Sequence, residues 1–173
     1  MNTIEMLDLV DEDDTILDTL SRDEIYAKNL KYVRVVEGFI KNSKGQLWIP
    51  VRGSHKRIAP GGFDVGVGGH VEHGESYIEA FRKETIEELG WNIDEISYRE
   101  IGKFGPRDGL LTVSMIYEIA SEVAPHLNPE DFVSADWLTP QEVVDRIKSG
   151  HPSKLNLLPL LKLTYKVSLF SLN

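Results

Sequence analysis

The sequence predicts an α/β sandwich. Strand-like runs rich in β-branched and aromatic residues stand on both sides of one long helical segment, and a second capped helix follows the last strand. At 173 residues the chain has the size of one domain with a proper core, and residues 1–173 show no low-complexity linker or internal repeat that would divide it.

The elements follow in order. Leu7 to Val10 and Thr15 to Leu17 read as short strands around the turn-like Asp11-Glu12-Asp13-Asp14. Ser21 with Glu24 three residues on forms a capping box and opens a helix to about Lys28. Tyr32 to Lys41 alternates and is β-branched, so it is a strand. Asn42-Ser43-Lys44-Gly45 turns the chain, and Leu47 to Arg52 returns. Residues 53–62 are loop, and Phe63 to Val67 leads into a glycine-rich stretch. The central helix runs from about Ser76, with Glu79 completing a capping box, to Leu89, with Gly90 as its stop. Ile96 to Phe104 and Leu111 to Ala120 pair as strands across Gly105 to Gly109, and Ala135 to Leu138 is a short strand. Thr139-Pro140 starts a helix to about Lys148, with proline at its first position. Pro159 interrupts or starts a last helix.

The central helix carries the chemistry. At about 100° per residue, Glu84, Glu87 and Glu88 fall within an arc of roughly 100°. Carboxylates that close repel one another unless a cation sits among them. Ile78, Phe81, Thr85 and Leu89 form a neighbouring, largely apolar stripe, so the helix buries one face and offers acids from the next. Oxygen ligands of this kind select Mg²⁺, Mn²⁺ or Ca²⁺ over zinc, with Mg²⁺ the expected ion and Mn²⁺ its alternative. Mg²⁺ completes its shell with water and substrate phosphates, so a phosphorylated substrate is expected.

The segment GGHVEHGESYIEAFRKETIEELGW, Gly68 to Trp91, resembles the Nudix box, Gly-x5-Glu-x7-Arg-Glu-aliphatic-x-Glu-Glu-x-Gly-aliphatic. The matching residues are Gly69, Glu75, Glu84, Glu87, Glu88 and Gly90. Six such matches by chance come to about 10⁻⁷ per start position, which disposes of the alternative of a merely solvated acidic helix. Lys83, Thr85 and Trp91 depart from the pattern. The resemblance implies a Nudix-fold α/β/α sandwich with a mixed β-sheet. It implies a pyrophosphohydrolase in which water attacks phosphorus of a nucleoside di- or triphosphate or a nucleoside diphosphate derivative. By position in the motif, Glu84, Glu87 and Glu88 are the expected catalytic metal ligands, with the Gly68 carbonyl as a fourth. Glu75 is expected to organise the loop, braced by Lys83 where the family has Arg; lysine keeps the charge but loses the bidentate fork. Residues 1–30 resemble the extension of Nudix proteins related to isopentenyl diphosphate isomerase and are expected to pack on the domain.

Either Glu84 or a carboxylate outside the box is the expected base, and Glu118 is the outside candidate and a further expected metal ligand. Arg52, Lys56 and Arg57 flank the loop before the box, and Arg52 and Lys56 are expected to meet phosphate charge. Lys103 and Arg107 could reach the site from the later hairpin. Phe63, Trp48 and Trp137 are candidates to stack on a base, with Trp137 favoured as core. His70 and His73 read as solvent-facing.

Composition excludes several classes. The chain has no cysteine, so disulfides, thiolate metal sites and cysteine nucleophiles are ruled out. The N-terminus lacks a basic region followed by an apolar run, and no stretch has the length of a membrane span, so a cytoplasmic protein is expected. The net charge of −9 argues against stable nucleic-acid binding but not against a nucleotide held through a metal. Two other readings stay open: an isopentenyl diphosphate isomerase-like enzyme, whose family chemistry uses a cysteine, and a noncatalytic nucleotide-binding module, which generally loses box acids. A homodimer is open through the apolar tail Val167, Leu169, Phe170 and Leu172.

Overall fold

The computed structural model describes residues 4–168. It begins with a hairpin of β1 (Met6–Val10) and β2 (Ile16–Ser21), followed by α1 (Arg22–Ala27). The main sheet has six strands: β3 (Arg34–Lys41), β4 (Leu47–Arg52), β5 (Val67–His70), β6 (Ser97–Phe104), β7 (Val113–Ala120) and β8 (Phe132–Leu138). Three more α-helices complete the fold: α2 (Tyr77–Leu89), α3 (Pro140–Lys148) and α4 (Leu157–Thr164). The spatial order is β6-β7-β3-β4-β8, with β5 also on β3. The β3–β7 pair is parallel and the other pairs are antiparallel, so the sheet is mixed.

β3 is the hub because one of its edges is shared. β7 runs along one edge from Arg34 to Lys41. On the other edge, β4 pairs only at Lys41–Leu47, and β5 takes Val35 to Gly38. β4 and β5 therefore part from one another on the same edge. Apolar layers fill both faces of the sheet. Phe39, Leu47, Ile49 and Ile116 pack under α3 and α4. Val36, Ile40, Tyr117 and Ile119 pack under Phe81 and Leu89 of α2. Burial of that kind stabilises by about 25 cal/mol per Å² and is the main force holding helices to sheet.

The helix ends follow the sequence. Ser21, Ser76 and Thr139 each cap their helix, in boxes with Glu24, Glu79 and Glu142. Gly90 stops α2 in the left-handed conformation at φ 69°, which costs glycine nothing. Pro159 is the third residue of α4, where a missing N–H removes no intrahelical bond.

Several expectations are corrected. β5 is a strand, although Val67-Gly68-Gly69-His70 lacks a strand-like run; β3 supplies the pairing. Ile78 is 38% exposed, and Ala80 takes its place in the buried stripe with Phe81, Thr85 and Leu89. Thr85 packs fully because its hydroxyl donates to the Phe81 carbonyl at 2.7 Å. The hairpin rests on the body through Leu7, Ile25, Val33 and Val35. In the tail, Val167 packs against the α3–α4 side of the core, and Leu169, Phe170 and Leu172 lie outside the described residues.

Candidate metal and phosphate site

The site is built where α2 crosses the glycines of β5. Glu88 lies one turn beyond Glu84 on α2, and its carboxylate accepts the Gly68 N–H at 2.9 Å. Glu84 lies so close to Gly69 that a Cβ there would be 2.0 Å from its carboxyl carbon. Only glycine leaves that space, which ties the box glycine to the acid fifteen positions away. Glu87, on the same arc, is exposed.

These acids are short of positive partners. Burial pushes the Glu84 carboxyl up to about 7, with Lys83 opposing the shift and Glu87 adding to it. Burial pushes Glu88 up to about 8, and neighbouring Asp64 and Glu84 add to the shift while the Gly68 N–H opposes it. Two carboxyls raised in this way beside each other favour added positive charge. Among the described residues, no three His, Cys, Asp or Glu side chains converge to ion-holding distance. The donor set nevertheless fits a hard divalent ion: Glu84, Glu87 and Glu88 are oxygen donors on adjacent turns, and Gly69 leaves room for the Glu84 carboxyl among them.

The loop before α2 is braced as the motif demands. Lys83 donates to Glu72 at 2.8 Å and to Glu75 at 3.2 Å, and Glu75 accepts the Glu72 N–H at 3.0 Å. The lysine thus spreads one ammonium over two acids where an arginine would fork onto one.

Three residues enter that sequence reasoning missed. Asp64, buried just before β5, bonds the Arg52 guanidinium at 2.5 Å and the Lys154 ammonium at 3.1 Å. Glu37, opposite Gly68 in the β3–β5 ladder, is 7% exposed, and its Oε2 has no hydrogen-bond partner. Burial pushes its carboxyl up to about 7. An acid in the middle of a strand buried on both faces was the available signal for Glu37. Asp64 was marked only by its glycine-flanked position, and nothing local marks Lys154.

Other candidates lie elsewhere. Glu118 is not brought to the α2 acids: it accepts from Arg99 at 2.9 Å and Tyr165 at 2.7 Å, with Lys41 at 3.5 Å. Against the cost of burial, these partners hold its carboxyl below the ordinary range. Phe63, expected beside substrate, is 1% exposed and stacks on His151 with ring centroids 3.8 Å apart, so it is core. Trp48 is buried with its ring edge-on to Phe132, and Trp137 is partly buried against the α2 side of the core. Arg52 also donates to the Ile58 carbonyl at 2.7 Å, and Lys56 is tied to Asp131. Arg57 lies over the Tyr26 ring of α1, 5.8 Å from its centroid. Lys103 and Arg107 turn to the β1–β2 hairpin instead, reaching Asp14 at 2.7 Å and Asp13 at 2.5 Å. His70 is not solvent-facing: Glu5 holds its Nδ1 at 3.0 Å, and the Tyr26 hydroxyl lies 3.3 Å from Nε2. His73 is exposed and bonds Asp8 at 2.7 Å.

The sequence profile of the NUDIX domain matches residues 31–161. The chain belongs to the Nudix family. A Nudix hydrolase of Deinococcus radiodurans is 42% identical over 163 residues, covering 94% of this chain and 95% of that one. An uncharacterized Nudix hydrolase of Nostoc sp. is 39% identical over 166 residues, 95% of this chain and 98% of that one. The crystal structure of DR0079 from Deinococcus radiodurans superposes with a TM-score of 0.87 at 41% identity, covering 93% of this chain and 99% of that one. A MutT protein from Methanosarcina mazei, at 18% identity and a TM-score of 0.57 over 79% of this chain and 92% of that one, shares the fold. The Nudix relatives and the Nudix domain make this chain a hydrolase acting on pyrophosphate bonds. Among the described residues, no helix is long and apolar enough to cross a membrane.

Proposed function

We propose that this Nudix hydrolase is Mg²⁺-dependent, with Mn²⁺ as a substitute, and cleaves the phosphoanhydride of a nucleoside di- or triphosphate or a nucleoside diphosphate derivative. The observation that carries the reading is the pair Glu84 and Glu88, pushed up to about 7 and about 8 beside the glycine that makes room for Glu84. Acids so placed gain most from a divalent cation. Glu84, Glu87 and Glu88 would hold the ion, with the Gly68 carbonyl as the fourth group. When bound, the ion would acidify water, neutralise phosphate charge and align the reacting groups.

The chain's own residues do the rest. Lys83 and Glu75 fix the loop that presents Gly68 and Gly69. Arg52, at the end of β4 and held by Asp64, and Lys56, in the loop that follows and tied to Asp131, are the candidates to meet phosphate charge. In the reaction, water adds to phosphorus, the bond to the bridging oxygen breaks, and the two phosphate products part. The substrate is a small molecule. The cytoplasm, where nucleotide pools lie, is the assigned compartment, and residues 1–173 are taken as one domain with 1–30 as an extension packed on it. Glu118, paired with Arg99 and Tyr165, is left out of the ligand set.

The test is a panel of nucleoside di- and triphosphates and nucleoside diphosphate derivatives incubated with protein and Mg²⁺. Release of phosphate, pyrophosphate or a nucleoside monophosphate, lost on chelation, is the expected result. Isomerised prenyl diphosphate would favour the isomerase reading, and tight nucleotide binding without turnover would favour the noncatalytic one.

A further inference from the structure

We propose that Lys154 is the resident cation of the carboxylate pocket, a positioning residue whose ammonium sets how tightly the site takes a divalent ion. The inference rests on the metal-binding reading above. Lys154 stands among acids from three elements. Its Nζ is 3.1 Å from Asp64, in the loop before β5. It faces β5 closely enough that a Cβ on Gly68 would lie 3.7 Å from Nζ. Gly68 is also the residue whose N–H Glu88 holds, and the Lys154 charge acts on the carboxyls of both Glu88 and Glu37.

The placement is constructed by the backbone. The Phe63 N–H donates to the Pro152 carbonyl at 2.9 Å, and the Lys154 N–H donates to the Phe63 carbonyl at 3.0 Å. Phe63 and Ser153 form a parallel bridge, and His151 stacks on the Phe63 ring. Residues 151–154 are thus docked along the segment that carries Asp64. The Lys154 side chain is 29% exposed, and its head points at acids. The local charge calls for it. Arg52 already offsets Asp64, yet Glu37 remains buried with an oxygen that has no hydrogen-bond partner. A buried carboxyl in that state is costly unless a cation lies near. Lys154 supplies that charge permanently, and an ion entering beside Glu84 and Glu88 meets its repulsion.

The test uses the full chain and Mn²⁺ as the probe, with free ion measured by electron paramagnetic resonance so that turnover is not the readout. Removing one positive charge near a divalent ion in a partly desolvated site is expected to tighten binding by about tenfold. Lys154→Met should therefore bind Mn²⁺ about tenfold more tightly than the wild type, and Lys154→Arg should match the wild type. A gain below about threefold, or a loss, overturns the proposal; a larger gain supports it. If Lys154→Met does not fold, the lysine ammonium signals of ¹⁵N-labelled wild-type protein are followed during Mg²⁺ titration. A Lys154 signal that shifts and saturates with ion binding supports the proposal, and one that stays fixed overturns it. Wild-type protein that binds no ion at all would remove the metal-binding reading and this inference together, whereas ion binding with no gain in Lys154→Met removes only the role of Lys154.

Discussion

Glu88 and Glu118 are the same residue type, each on a regular element next to the core, and they live in opposite states. Glu118 has Arg99, Tyr165 and Lys41 about it, and its carboxyl is held below the ordinary range. Glu88, pushed up by burial to about 8, has one backbone N–H and the Lys154 charge in its favour, with Glu84 and Asp64 against it. The first is a completed charge network that stabilises the fold. The second is an incomplete one, in which the Lys154 charge does not offset all the acids around it. Acids alone therefore do not make a candidate metal site; acids with too few cations around them do.

The largest expected effect comes from the exposed member of the cluster. Glu87→Gln should lower kcat by about a hundredfold or more, with little change in melting temperature, because its side chain is exposed. Near-normal turnover at saturating metal would break the assignment. Gly69→Ala drives a methyl into the Glu84 carboxyl and should weaken Mg²⁺ binding by about tenfold or more, read by calorimetry. Glu118→Gln should leave Mg²⁺ affinity unchanged while costing about 2 kcal/mol of stability, read by urea unfolding.

The pH dependence sharpens the contrast. Glu88 has a folded value raised by burial to about 8 against an ordinary 4.5, so it favours the fold most below about 4.5 and loses that advantage as pH rises to about 8. Glu84 does the same up to about 7. Metal-free protein should lose stability between pH 5 and 8 through these two groups, and Glu88→Gln should remove part of that loss. Glu118, with a lowered value, contributes in the opposite sense: its share is present above the ordinary carboxylate range and is lost as pH falls through its folded value. Denaturant midpoints across pH, for wild type and both variants, check the sign of each. The smallest effect is expected from Lys83→Arg, which replaces one point charge on two acids by a fork and should change stability by less than about 0.5 kcal/mol.

Local signals made the helices legible. Ser21, Ser76 and Thr139 announce their own capping boxes, and Glu84, Glu87 and Glu88 share a face by spacing alone. What the sequence hid depends on distant pairing. β5 is a strand because β3 has an open edge, and Gly68-Gly69 has no side chains to advertise it. Lys154 joins Asp64 because the 152–154 segment pairs with Phe63, a contact no local pattern encodes. Lys103 and Arg107 were placed in the right hairpin, but the acids of the β1–β2 turn capture them before they can reach β5. Phe63 looked like a platform for a base because its exposure depends on His151, far along the chain.

The most direct test titrates metal-free wild-type protein and the double variant Glu84→Gln/Glu88→Gln with Mg²⁺ by calorimetry at pH 8, after circular dichroism has shown both to be folded. Saturable binding by the wild type, with loss of about a hundredfold or more in affinity in the variant, is the predicted result. Equal Mg²⁺ affinity in the two proteins would contradict the account, because the ion would then be held by something other than the paired acids of α2.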